Sequence, residues 1–366
     1  MNKGSGLISI WLSFTILILS AGLVSHVMSI PVILGVAERD SWLSVLVAAP
    51  LFLLWLSMVY FIINRIKGQR LPDWIRRQYG IVPEWIFRIS AALVLFASAA
   101  YTLQDTSLWT VSTYMQQTPM IIIIVTSLAV ALMAAYGGLK SIALTTSILL
   151  PIVISLGYFV MIVNTRNKDY SLLLPILDNG WKPVMHGSIY ALAGLLETWI
   201  LLLYQHELKS KIRLWHLLLL GVFLISMAMG PTIGAITEFG PQEAAKQRQT
   251  AFEQWRILQL GELLQHVDFL SIYQWLCGSF ARISIALYLI TDQLDVRKPS
   301  RRLITLIIVA ALMIIPAVKT WRDDQTLHYL QNIHFPSVLL FVVFISSVLA
   351  IATVFKKRKE KPTNDA

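Results

Sequence analysis

The sequence predicts an all-α integral membrane protein with ten transmembrane helices. The chain has 366 residues, of which 56% are hydrophobic and only 14% are charged, and its mean hydropathy is +0.67. Soluble domains contain about 25% charged residues, so a soluble globule of this length would lack the polar surface that it needs. The composition therefore excludes an ordinary cytoplasmic enzyme and a disordered chain.

Ten segments are long and apolar enough to cross a bilayer, which takes about 20 mostly apolar helical residues. They are 7–30, 41–63, 85–108, 118–136, 141–163, 184–205, 214–236, 268–291, 303–319 and 335–355. Little chain remains outside them, so we predict a single multi-pass membrane domain over 1–366. Its parts are a cytoplasmic N-terminus (1–6), a ten-helix bundle (7–355) and a basic cytoplasmic tail (356–366).

The first span predicts a retained helix and not a cleaved signal peptide. Its apolar run is too long for a signal sequence, and Pro31 and Gly35 follow where small residues would mark a cleavage site.

Lysine and arginine predict the orientation. With a cytoplasmic N-terminus, the inside segments hold 19 Lys and Arg residues and the outside segments hold 9. Positive residues concentrate on the cytoplasmic side of membrane proteins. Both termini are therefore predicted to be cytoplasmic, and the formal charge of +10 indicates membrane topology and not a nucleic-acid partner.

Glycines interrupt the first and sixth spans at matching places. Gly22 lies inside the first span and Gly194 inside the sixth. These are corresponding helices if ten spans divide as five plus five. Interrupted helices at matching positions in two halves indicate a substrate site formed by irregular backbone. We therefore predict a small-solute site near Gly22 and Gly194.

Two charged residues lie deep within spans. Glu197 is in the sixth span and Arg282 in the eighth, and residue counts from the predicted helix ends place them at nearly one depth. Charged side chains in spans usually point into the bundle, which predicts a Glu197–Arg282 pair. The pair could belong to a ligand site or could be an ion pair that only holds two helices together.

The third predicted span ends in a cluster of polar residues. Tyr101 and Asp105 are four residues apart and so share a helix face. They could bind a small polar solute, but the interpretation favoured by their position is a solvated helix end.

A further segment, 238–267, is too long for a structureless connection. The spacing of its apolar residues predicts one or two short amphipathic helices across the outer mouth of the bundle.

No catalytic or metal-binding pattern is found in the sequence. Cys277 is the single cysteine, and phosphate-binding loops, nucleophile elbows and metal-ligand spacings are absent from the sequence. We therefore expect no enzymatic activity, no metal and no cofactor.

Four stretches carry a resemblance to a known family. They are IPVILGVAERDSWLSVL (30–46), YGGLKSIALTTSILLPIV (136–153), LLPILDNGWKPVMHGSIYAL (173–192) and FEQWRILQLGELLQHVDFLSIYQWLCGSFARISIALYL (252–289). In the last, an aromatic-led stretch is followed by Asp268, Trp275 and Arg282. In their order and spacing these stretches resemble the B subunits of bacterial spore germinant receptors (the GerAB type), within the amino acid–polyamine–organocation transporter superfamily.

The resemblance implies a LeuT-like five-plus-five inverted repeat with broken first and sixth helices. It also implies sensing of a nutrient germinant such as an amino acid, in the spore inner membrane, together with an A subunit and a C lipoprotein. Membrane lipid is the remaining expected partner. The alternative is an active secondary transporter of amino acids or similar small solutes. Coupled transport usually needs buried carboxylates that change charge, and Arg282 would neutralise Glu197, which favours sensing.

Overall fold

The computed structural model describes residues 7–258, 267–296 and 298–355, and they form a bundle of helices with one isolated β-bridge. The predicted cytoplasmic N-terminus (1–6) and the basic tail (356–366) lie outside the described residues. The same holds for 259–266, which includes part of the predicted amphipathic segment.

Sixteen α-helices are found in the described part of the chain. The first eight are α1 (Ile10–Leu23), α2 (Ser29–Ala37), α3 (Ser41–Ile66), α4 (Leu71–Tyr79), α5 (Ile81–Thr113), α6 (Met120–Tyr136), α7 (Leu139–Val163) and α8 (Trp181–Leu195). The others are α9 (Leu201–Tyr204), α10 (Leu214–Phe239), α11 (Pro241–Ala244), α12 (Thr250–Arg256), α13 (Leu270–Gln293), α14 (Pro299–Ala317), α15 (Asp323–Tyr329) and α16 (Phe335–Val354).

The helices confirm an all-α membrane protein. Within the described ranges, seven continuous helical stretches are long and apolar enough to cross a membrane. The first of them, Ile10–Ile66, contains two of the predicted spans, separated by a turn at Glu38–Asp40 where Glu38 has a φ of 43°. Each of the ten predicted segments overlaps helical residues.

The first and sixth predicted spans each contain an irregular segment, which lies near the end of the first and near the middle of the sixth. A five-residue π-helix, Val24–Met28, separates α1 from α2. A five-residue 3₁₀-helix, Leu196–Ile200, separates α8 from α9. Each irregular segment starts two residues after a predicted interrupting glycine, Gly22 and Gly194 respectively. Short π and 3₁₀ segments inside long helices often mark functional sites or hinges.

The π-helix Val24–Met28 makes a hydrogen bond to α10 next to Pro231, which lies inside that helix. Pro231 has no backbone N–H, so the carbonyl of Met227, four residues earlier, loses its usual helical donor. The Nδ1 atom of His26, which is unusual in an apolar span, lies 2.9 Å from that carbonyl oxygen and donates to it. A carbonyl only accepts, so His26 carries its proton on Nδ1.

One end of the bundle, here termed the Arg70 end, is closed by an ionic network. Arg70 binds Asp292 at 2.7 Å and Asp295 at 2.9 Å, both at the end of α13. Burial disfavours the charge on Arg70, but the two carboxylates outweigh it and raise its pKa above the usual value. A parallel bridge between Ile8 and Leu208 joins two further segments.

Arg88 belongs to the same end of the bundle and is buried there. Its position in the third predicted span suggests a side chain that extends to the membrane interface. In the structure its side chain is 1% exposed, and it binds Glu84 at 2.8 Å and the carbonyl of Gln293 at 2.9 Å. The reason is that α13 ends against α5, which places unpaired helix-terminal carbonyls within reach of the guanidinium.

Candidate functional site

The two interior charges meet in the middle of the bundle. Nη2 of Arg282 on α13 lies 2.8 Å from Oε1 of Glu197 in the 3₁₀-helix that interrupts the sixth span. Their side chains are 3% and 8% exposed. The pair predicted from helix depth is therefore confirmed as a contact, and its role in ligand binding stays a prediction.

The pair leaves donors of Arg282 unused. Nε and Nη1 of Arg282 are buried and have no hydrogen-bond partner among the described residues. The Arg282 charge also lies close enough to Tyr329 and His334 to interact with both electrostatically. His334 is 4% exposed, and its Nε2 atom is likewise buried without a partner in the described ranges. A buried guanidinium with free donors can donate charge-assisted hydrogen bonds to an additional carboxylate.

Aromatic rings connect this pair to Tyr101. The ring of Tyr101 lies 5.3 Å from that of Tyr329, 5.5 Å from that of His334 and 6.4 Å from that of Trp321, centre to centre. Tyr329 ends α15, and His334 is the last residue of a second π-helix, Leu330–His334, which leads into α16. The residues just before the predicted tenth span (335–355) therefore contribute to the aromatic wall.

Arg248 covers the aromatic group from the opposite end to Arg70. Its Nη2 atom binds Oδ1 of Asp105 at 2.5 Å and the hydroxyl of Tyr101 at 3.2 Å. Burial disfavours the charge on Arg248, but Asp105 and Tyr101 outweigh it and raise its pKa. The interpretation of Tyr101 and Asp105 as a solvated helix end is wrong, because each is 4% exposed and Arg248 replaces the water.

Arg248 comes from the long segment after α10, whose position was predicted but whose contacts were not. The segment contains two short helices, α11 and α12, and Arg248 lies in the turn between them. Gln254 of α12 donates to the carbonyl of Pro231 at 3.0 Å, and Asn164 donates to the carbonyl of Gln254 at 2.7 Å. These bonds fix the segment against the bundle, so that Arg248 is held in place.

The four polar candidate residues thus form one column, termed here the Arg248–Glu197 column. It runs from Asp105 and Arg248 through Tyr101 and the aromatic rings to Arg282 and Glu197. Several of its polar atoms have no partner in the described part of the chain: Asp105 Oδ2, Arg248 Nη1, Arg282 Nε, Arg282 Nη1 and His334 Nε2. Such a column is suited to a small molecule that carries both polar and charged groups.

The two candidate glycines lie elsewhere. Gly194 packs against the first helix, where an added Cβ would come within 3.3 Å of Ser25 Cα and of Ser29 Oγ. Gly22 lines a separate cavity of about 550 Å³ between α1, α7, α10, α12 and α13. The close approach of Ser25 and Ser29 is therefore enough to explain a glycine at position 194. The predicted solute-binding role of Gly22 and Gly194 stays a prediction.

Sequence reasoning missed three members of the column: Arg248, Tyr329 and His334. Arg248 lies in a polar stretch outside the spans, where a single arginine gives no signal. An unpaired Asp105 near a helix end was the available hint, since a buried carboxylate needs a cation. Tyr329 and His334 precede the apolar run of the last span, and their inward position depends on the π-helix.

Comparisons with known proteins show the family of the chain. A family model described as spore germination protein matches residues 9–325. The chain is 38% identical over 346 residues to spore germination protein XB of Bacillus anthracis, covering 94% of this chain and 97% of that protein. It is 21% identical over 340 residues to spore germination protein KB of Bacillus subtilis (strain 168), covering 89% and 90%. The chain is a permease-like, multi-pass membrane protein that belongs to the spore germination protein family.

Proposed function

We propose that this chain is the nutrient-germinant-sensing membrane subunit of a spore germination receptor. In this proposal it binds a small molecule such as an amino acid within a ten-span, LeuT-like bundle, and acts with an A subunit and a C lipoprotein of the same receptor type. It lies in the spore inner membrane with both termini in the cytoplasm, and it has no catalytic role. Membership of the spore germination protein family supports the general role.

The observation that carries the proposal is the incomplete pairing of Arg282. Its Nη2 is bound to Glu197, while Nε and Nη1 are buried and free of described partners. Leaving a buried donor unpaired costs about 1–3 kcal/mol, and a ligand carboxylate would remove that cost. The aromatic wall of Tyr101 and Tyr329 provides a surface on which a ligand ammonium is stabilised by the ring electrons.

The irregular helices support the same location. The 3₁₀-helix carries Glu197, and the π-helix after Gly22 lies against α8. Irregular backbone at membrane depth is tolerated where it is buried in protein or lines a cavity. The matching breaks in the first and sixth spans favour the five-plus-five repeat.

A binding measurement on the purified full-length protein tests the proposal. Each of the common L-amino acids would be added separately at high concentration, and the thermal unfolding midpoint (Tm) would be measured. A ligand that binds only the folded state stabilises it by about 2.7 kcal/mol at 100 times its Kd. We expect at least one amino acid to raise Tm and Arg282→Lys to remove that shift.

Arg256→Lys is the matched control, because Arg256 forms an exposed pair with Glu253 on α12. It should leave the shift unchanged. If no amino acid raises Tm, or if the shift persists in Arg282→Lys, the Arg282 site is wrong.

The second candidate function is secondary transport. It is favoured by ion pairs at both ends of the bundle, Arg248–Asp105 at one and Arg70–Asp292 at the other, which could open alternately. Uptake of the radiolabelled amino acid identified by Tm into proteoliposomes separates the two functions. Accumulation above protein-free liposomes supports transport, whereas binding without uptake supports sensing.

A further inference from the structure

The cavity beside Gly22 has no part in the proposed function and is built from glycines. Gly22, Gly157, Gly230, Gly234 and Gly278 line it. A Cβ added at Gly230 would meet no atom within 4 Å, and one added at Gly157 would meet only Gln274 Nε2, at 3.8 Å. The missing side chains at Gly157 and Gly230 leave open space, whereas the other three glycines allow close packing against Met227, Gln254 and Leu23.

The cavity is long and opens sideways. On α10 its lining runs from Leu219 to Glu238, which is about 28 Å at 1.5 Å per residue and approaches the thickness of a bilayer hydrocarbon core. Four lining residues are themselves exposed on the flanks of α7 and α10: Tyr158 at 56%, Met161 at 51%, Leu219 at 49% and Val222 at 53%. Their apolar side chains indicate an opening towards lipid.

The polarity of the lining changes along its length. Aliphatic and aromatic side chains such as Leu19, Leu219 and Phe223 line the part towards the start of α10. Polar groups gather where α10 ends, and they are Lys168, Glu238, Gln254, Ser271 and Gln274. This distribution of apolar and polar lining residues matches a membrane lipid, which has an apolar chain in the bilayer core and a polar head at the interface.

Two opposite charges lie at the polar end. Lys168 Nζ is 3.6 Å from Glu238 Oε1, and their side chains are 8% and 2% exposed. The backbone N–H of Asp169 donates to the carbonyl of Thr237 at 2.8 Å, which fixes Lys168 next to the end of α10. Oε2 of Glu238 is buried without a hydrogen-bond partner in the described residues. The site therefore offers one cation for a phosphate and one free carboxylate oxygen for a hydrogen-bonding ammonium.

We propose that this cavity binds one phosphatidylethanolamine molecule from the surrounding bilayer. An acyl chain lies along α10 between α1 and α7, the phosphate binds Lys168, and the primary ammonium donates to Glu238. Phosphatidylcholine has the same phosphate but a quaternary ammonium that cannot donate a hydrogen bond. Phosphatidylglycerol has the phosphate and hydroxyl donors but no ammonium, so it brings no positive charge to the Glu238 carboxylate. The free Glu238 oxygen is what selects among the three.

Lipid retention by the purified full-length protein tests the proposal. The protein would be extracted in mild detergent, incubated with an equal mixture of the three lipids, and washed before bound lipid is quantified by mass spectrometry. We expect phosphatidylethanolamine to be preferred over phosphatidylcholine by about tenfold or more, the worth of one hydrogen bond to a charged group. Glu238→Gln should remove that preference.

Two further variants complete the test. Gly230→Leu places a side chain in the apolar part of the cavity, and we expect it to reduce retention of all three lipids. Glu253→Gln is the matched control, because Glu253 lies outside the cavity lining and pairs with the exposed Arg256, and it should retain the preference. Equal retention of the three lipids by the unaltered protein, or an unchanged preference in Glu238→Gln, would overturn the proposal. Undiminished retention in a folded Gly230→Leu variant would do the same.

Discussion

Arg248 and Asp105 form a buried ion pair across 143 residues of sequence, between the turn that joins α11 to α12 and the far part of α5. The pair covers Tyr101 and forms the end of the Arg248–Glu197 column on that side of the bundle. A single side chain from a connecting segment thus takes the place of solvent above the column.

Removal of Arg248 is expected to destabilise the protein and to ease ligand access. Arg248→Ala leaves Asp105 buried without its cation, and loss of one partner of a buried pair typically costs about 3–5 kcal/mol. We expect a lower Tm and, in spores, a nutrient response at lower germinant concentration. Arg256→Ala, on the same segment but exposed, should change neither. An unchanged Tm in Arg248→Ala would show that the pair does not stabilise the fold.

The Glu197–Arg282 pair should show strong coupling. Glu197→Gln and Arg282→Met should each lower Tm, because each leaves one buried partner unpaired, whereas the double variant should recover much of the loss. A double-mutant cycle measures this coupling. The exposed pair Glu253–Arg256 serves as a control, with an expected coupling of about 0.2–1 kcal/mol. Additive losses would contradict the pairing.

The double variant at Glu197 and Arg282 also separates structure from signalling. A stable variant that no longer responds to germinant places the pair in the ligand site. A stable variant with a normal response means that the pair only holds α13 against the interrupted sixth span.

His26 and Pro231 should be coupled through the Met227 carbonyl. His26→Phe removes the donor and leaves that carbonyl unpaired, at a cost of about 1–3 kcal/mol. Pro231→Ala supplies a backbone N–H to the same carbonyl. We therefore expect His26→Phe to lower Tm less in the Pro231→Ala background than in the unaltered protein. Equal decreases in both backgrounds would show that the His26 bond contributes little.

Gly194 and Gly230 form a matched pair of helical glycines. Gly194→Ala places a methyl group 3.3 Å from the backbone of Ser25, so the first and sixth spans must separate, and we expect a lower Tm. Gly230→Ala meets open space, and alanine stabilises a helix by about 0.5–1 kcal/mol relative to glycine. Its Tm should be unchanged or raised. A tolerated Gly194→Ala would mean that the close approach is not required.

The orientation predicts opposite accessibility at the two ends. In a Cys277→Ser background, Arg77→Cys in the last turn of α4 should resist an impermeant thiol reagent in intact cells. Gln117→Cys, in the turn between α5 and α6, should react. Both positions are exposed in the structure, so protection reports the side of the membrane. Reaction at Arg77→Cys without reaction at Gln117→Cys would invert the topology.

The sequence by itself determined the membrane class and the approximate location of the helices. Apolar runs and the cost of unpaired backbone groups in lipid allow only helices in a chain of this composition. It also predicted the Glu197–Arg282 contact, because both residues must avoid lipid and residue counts give their depth. Glycine positions predicted where the first and sixth spans are irregular.

Tertiary structure alone decided which polar groups come together. Arg248, His334 and Tyr329 reach the column because a connecting segment folds back and a π-helix turns the start of the last span inward, and neither leaves a periodic pattern in the sequence. The partner of His26 could not be predicted from the sequence, because it depends on α10 packing against the first span with the Met227 carbonyl next to His26. The burial of Arg88 and its hydrogen bond to the Gln293 carbonyl likewise depend on where α13 ends. Hydropathy depends on the composition of one segment, whereas hydrogen bonds and ion pairs depend on which segments are neighbours.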